Sequence, residues 1–155
     1  MPGPIVDGAP DHDEFVHELN RHAPPGSPVC AVRIDGSFEF VRARSVPRHE
    51  PPYPSLTELA HEQHVFEFRE VEGTIVGFRF PSYAQWIELA GYHLHFVDAD
   101  RLRGGHVLAC RPRRVEVRID HARDLHVELP PGIELGAPDT GAAAQERIRR
   151  IEGES

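Results

Sequence analysis

Three histidines hold the chemistry most readily read from this chain. His93 and His95 stand two apart in the run GYHLHFV from Gly91 to Val97, an apolar and β-favouring stretch. Side chains two apart on a strand point to the same face. A turn-rich segment, Asp98 to Gly105, follows, and His106 then opens a second apolar run, Val107 to Cys110. A hairpin centred near Asp100 and Arg101 sets His95 opposite His106, where cross-strand Cβ atoms lie about 4.5–5.5 Å apart. Three imidazoles converging on one point can hold a divalent metal. Three His ligands with a vacant fourth position are the arrangement of a catalytic rather than a structural zinc, and other first-row divalent ions suit the same donors. The chain has 11 histidines in 155 residues, so an HxH pair alone is a weak signal, and the return at Gly104-Gly105-His106 strengthens it. His61 and His64 share a helical face without the HExxH pattern and read as solvated surface. His49, His121 and His126 have no metal-ligand spacing to a partner.

The elements that must position these residues follow from local pattern. Residues 1–10 are rich in Pro and Gly and read as a disordered leader, with the domain proper at 11–155. Asp11 to His22 carries Phe15, Val16 and Leu19 on one side, a short amphipathic helix that Asp11 or Asp13 caps. Val29–Ile34 and Ser37–Val41 read as a hairpin about Asp35-Gly36, and Arg42 to Pro54, with four prolines, as an irregular loop. Ser55 to Gln63 has a capping-box start. Val65–Val71 and Gly73–Phe80 read as two strands bent at Glu72-Gly73. Pro81 to Leu89 reads as a helical turn bearing Tyr83 and Trp86; these two and Tyr92 are expected in the core or a pocket wall, with the core favoured. Val115–Asp120 and Leu125–Leu129 are further strands, and Thr140–Ile151 a last helix of good formers. Some eight strands and three or four short helices make an α+β single domain, a mostly antiparallel twisted half-barrel sheet.

Composition narrows the classes of function. A chain of 155 residues suits one domain with its own core. No run approaches the roughly 20 apolar residues that span a bilayer, and the N-terminal stretch lacks the basic and apolar regions of a secretory signal. A cytoplasmic location is the expectation. Net charge is −8 with histidine neutral, which argues against nucleic acid and anionic membrane as partners. A small anionic substrate is compatible, because a metal and one arginine make a site locally positive. Cys30 and Cys110 each sit in an apolar run and read as buried free thiols.

Several segments, in order, resemble the C-terminal half of the alpha-acetolactate decarboxylase family: IDGSFEFVRARSVPRHEPPY (34–53), GTIVGFRFPSY (73–83), GYHLHFVDADRLRGGHVL (91–108) and IEG (151–153). The resemblance covers about Val32 to Gly153. It implies an acetolactate decarboxylase-like fold and a zinc-dependent decarboxylation of 2-acetolactate, or a close 2-hydroxy-3-keto acid, to acetoin and CO2. Carried over by motif, His93, His95 and His106 are the metal ligands, Arg44 of RxRSV the active-site arginine, and Glu152 of IEG the carboxylate near the metal. Arg42 shares the parity of Arg44 on an extended chain. The family's N-terminal domain, with its further glutamate, is expected to be absent, as in the single-domain plant- and prokaryote-conserved proteins, which carry a similar histidine signature.

The chemistry asks for such residues. Loss of CO2 leaves an electron pair as an enediolate, so the catalyst must stabilise negative charge on the ketone oxygen. Arginine's planar fork suits the substrate carboxylate, and a buried acid such as Glu152 suits protonation of the enediolate. Two alternatives stay open on the sequence: another metal-dependent lyase, isomerase or cyclase acting through an enolate of a different substrate, and a non-catalytic, metal-stabilised assembly module. A half-covered cleft also points to a homo-oligomer.

Overall fold

The computed structural model describes residues 3–24, 26–50, 62–84 and 90–122, with Asp124 and His126. Its elements are β1 (Ile5–Asp7), α1 (His12–His22), β2 (Cys30–Ser45), β3 (His64–Phe80), β4 (Gly91–Asp98) and β5 (Gly104–His121), with a 3-10 turn at Ser82–Ala84. All pairings are antiparallel in the order β1-β5-β2-β3-β4. The sheet curls until β4 meets β5 again at His95↔His106, Phe96↔Gly105 and Val97↔Gly104. One α-helix over a twisted, curled antiparallel sheet is the expected α+β architecture.

The strands are fewer and longer than the turn signals suggest. Asp35-Gly36 makes no hairpin, because β2 runs straight through it. The Asp35 carboxylate accepts from Arg33 Nε and Nη2 at 2.7 and 3.0 Å and from Thr74 Oγ1 at 2.8 Å, so it ties β2 to β3 instead of closing a turn. Gly36, at φ +150°, faces Gly73 on β3, and a Cβ on Gly36 would strike the Arg114 carbonyl. The two glycines therefore serve close strand approach. Glu72-Gly73 is likewise internal to β3, and Val115–Asp120 is the far half of β5. Arg42 to Ser45, expected in a loop, belongs to β2.

Within the stretch expected to be disordered, Ile5–Asp7 pairs with Arg114–Glu116 of β5; three backbone pairings outweigh the flexibility that its Pro and Gly neighbours imply. Helix α1 starts as expected: Asp11 is the N-cap, and its carboxylate accepts from Glu14 N at 2.9 Å. Phe15 and Leu19 of α1 are fully buried with Val32, Ile34, Phe38, Val41, Ile75 and Val117 from the sheet. Burying each such side chain is worth about 1.5–3 kcal/mol. Cys30 and Cys110 are free and buried. Tyr92 packs on the core, whereas Tyr83 is exposed, because the 3-10 turn carries it off the sheet. Of the remaining expectations, Trp86, most of the helix at 55–63, nearly all of the strand at 125–129, the helix at 140–151 and Glu152 lie outside the described residues.

Bulges decide which face each residue meets. On β2 the buried residues are even-numbered up to Phe38 and odd-numbered at Val41 and Ala43, and the pairing with β5 shifts between Phe38 and Phe40. On β5, Val107 and Cys110 are both buried although their parity differs, and the register shifts again opposite Arg42/Ala43. A one-residue slip moves every following side chain to the other face. Pro112, inside β5, sits at such an irregularity, where a missing N–H is tolerated.

Candidate metal centre

The histidines come together because β4 alternates cleanly. Leu94, Phe96 and Asp98 are buried, so His93 and His95 take the outer face. Across the hairpin, His95 is directly opposite His106. Val107 points into the core, which leaves His106 outward. Without the slip beyond Val107, His106 would share a face with buried Cys110.

The turn between them is pinned by Asp98. Its Oδ1 accepts from Leu102 N at 2.9 Å and Arg103 N at 3.2 Å, and its Oδ2 accepts from Arg103 Nε at 2.8 Å. The Arg103 guanidinium and the two amides hold the Asp98 carboxyl below the usual carboxylate range. Arg101, at φ +60°, makes the left-handed step, and Arg101 N donates to Asp98 O at 3.0 Å. Sequence reasoning placed the turn but missed the residue that fixes it. The signal was an Asp at the head of a turn, four residues before an amide it can cap.

The three ring centroids are 4.9, 5.1 and 5.3 Å apart. One nitrogen from each ring lies within 4.8 Å of the other two, and His93 Nε2 is 3.1 Å from His95 Nε2. The set can hold a metal ion. Two nitrogens on a tetrahedral zinc, each at about 2.0–2.1 Å, are about 3.3 Å apart, so the observed pair fits the group.

Arg44 enters the same surface. It is opposite His106 on one side and Val65 on the other, and directly opposed residues share a face. Val76, His95, His106, Arg44 and Val65 therefore form one row around the outer wall. Arg44 is buried at 9% exposure, while Arg42, opposite Ala109, is exposed. His64, at the start of β3, is a solvated surface residue. His49 pairs instead with Glu62 at 3.2 Å.

A curled antiparallel domain that gathers three imidazoles on its outer wall, with an arginine in the next strand, is a β-module able to hold a metal ion. Comparison with known proteins narrows the class. Residues 5–135 match the model of the family described as alpha-acetolactate decarboxylase, and the chain belongs to that family. The match begins upstream of Val32 and ends before Glu152. The alpha-acetolactate decarboxylase of Methanosarcina mazei is 39% identical over 134 residues, 86% of this chain and 46% of that protein. The crystal structure of alpha-acetolactate decarboxylase from Bacillus subtilis strain 168 is 34% identical, with a TM-score of 0.88 over 97% of this chain and 64% of that one. A plant- and prokaryote-conserved protein of Pyrococcus horikoshii shares the fold alone, at 13% identity and a TM-score of 0.50 over 84% of this chain and 87% of that one. The chain spans about half the length of the curated relatives it matches.

Proposed function

We propose that this chain carries out the metal-dependent decarboxylation of 2-acetolactate, or a close 2-hydroxy-3-keto acid, to acetoin and CO2. The observation that carries the reading is the convergence of His93, His95 and His106 with Arg44 as the next residue in the row. Relatives named for this reaction support it. A zinc ion held by the three histidines would supply Lewis-acid stabilisation of the negative charge that builds on the ketone oxygen.

The remaining work falls to the chain. Arg44 binds the substrate carboxylate through its planar fork, which fixes the C–C bond that breaks. Val65, directly opposite Arg44, sets an apolar side chain beside that carboxylate. Glu152, which the IEG motif supports, returns a proton to the enediolate carbon. The reading includes a cytoplasmic, homo-oligomeric protein without a nucleic-acid partner. No helix among the described residues is long and apolar enough to cross a membrane. Val65, Val76 and Phe78, at 48%, 43% and 50% exposure, share the face of the histidines and suit cover by a second copy; a sharp monomer in light scattering would remove that part.

The test is CO2 and acetoin release from racemic 2-acetolactate by the zinc-loaded chain beside Arg44→Ala. Turnover that Arg44→Ala abolishes supports the proposal. Zinc bound at one equivalent without turnover moves the weight to a different enolate-forming substrate.

A further inference from the structure

Arg79 has no part in the function proposed above. It lies on β3, core-facing and 6% exposed, and its Nη1 is buried without a hydrogen-bond partner. Among the described residues no carboxylate forms an ion pair with it. A buried guanidinium without a counter-charge is costly.

The residues around Arg79 sharpen the point. It is opposite Cys30 on β2 and Tyr92 on β4, and Cys30 is opposite His121 on β5. Directly opposed residues share a face, so His121, Cys30, Arg79 and Tyr92 form one row across four strands. None of them supplies an anion. The Tyr92 hydroxyl donates to Asn20 Oδ1 of α1 at 3.1 Å. The Cys30 thiol donates to Pro28 O at 3.1 Å and lies 3.2 Å from His121 Nδ1. Burial pushes that thiol up against the opposing pull of Arg79, so it stays protonated at neutral pH. The row runs from His121, exposed at the outer end, to the buried guanidinium.

We propose that this row is a binding site for a small oxyanion, carboxylate or phosphate, received by the buried fork of Arg79 with His121 at its mouth. Arginine pairs bidentately with both groups. The site is separate from the histidine cluster: Phe78, the chain neighbour of Arg79, is opposite His93, and so Arg79 faces the other side of the same strand pair.

The experiment is thermal unfolding of the full chain in chelator-treated buffer, with sodium phosphate titrated in one arm and sodium acetate in the other, beside Arg79→Met. The wild-type midpoint should rise saturably in at least one arm, by about 5–10 °C at a hundredfold excess over Kd, and Arg79→Met should lose that saturable part. Response to phosphate alone marks a phosphate ligand, and response to acetate marks a carboxylate. An equal rise in both proteins overturns the proposal. The wild-type Nε–Hε resonance of Arg79 reads the same contact without relying on the variant: a saturable shift supports the site, and a resonance unmoved by both anions removes it.

Discussion

Gly105 gives the account a quantitative test. It precedes His106 and faces Phe96 across the hairpin. A Cβ built on it would lie 2.5 Å from the Arg44 carbonyl oxygen and 3.1 Å from the carbonyl carbon, where tolerable contacts start at 3.0–3.4 Å. Gly105→Ala must therefore push β5 from β2 by about 0.5–0.9 Å, several times the ~0.2 Å within which metal–ligand distances are held. Overpacking of this kind costs about 1–3 kcal/mol. If the metal-free protein relaxes by letting β5 move, metal binding must reimpose the strain, and affinity falls about 5- to 150-fold. Competitive zinc titration measures the affinity, and urea unfolding of the metal-free protein measures the strain that relaxation leaves. Gly26→Ala, with nothing within 4 Å of the added Cβ, is the control. Wild-type affinity and wild-type stability together in Gly105→Ala would refute the packing argument.

Three further outcomes follow from the same structure. Asp98→Asn should speed hydrogen exchange at the Leu102 and Arg103 amides and weaken zinc binding; because the folded Asp98 pKa is depressed, its contribution is present above about pH 3.8 and lost as pH falls through the folded value, a loss the variant should lack. His12 accepts from Cys110 N at 3.2 Å, and burial lowers its pKa from 6.5, so stability is present above that pH and lost as pH falls through the folded value; urea midpoints of His12→Gln should decline less steeply over that window. Phe15→Ala, removing a fully buried ring from α1, should cost about 3–5 kcal/mol in urea unfolding.

What the sequence disclosed was local and periodic. The HxH pair, the turn and the glycine-rich return placed His95 opposite His106, because strand parity and hairpin register need only neighbouring residues. Asp11 was legible as a cap for the same reason. The misreadings share one cause. Asp35-Gly36 and Glu72-Gly73 carry turn signals, yet in the fold Asp35 binds Arg33 and Thr74, and the glycines admit neighbouring backbones. Thr74 and those backbones are distant in sequence, and local propensity does not see them. Bulges are equally invisible: His106 and Cys110 have the same parity and opposite faces. Arg44 and Arg42 also share parity on β2; what separates them is burial, which only the assembled sheet reveals. Arg79, without a charged neighbour in the chain, gave no sequence signal at all.

The most direct test of the central claim couples metal occupancy to chemistry. Acetoin formation from 2-acetolactate is measured while zinc is added to the chelator-stripped chain, beside His95→Ala. The rate should rise in proportion to occupancy, level at one zinc per chain and be absent in His95→Ala. A rate that is indifferent to zinc, or retained in full by His95→Ala, would contradict it.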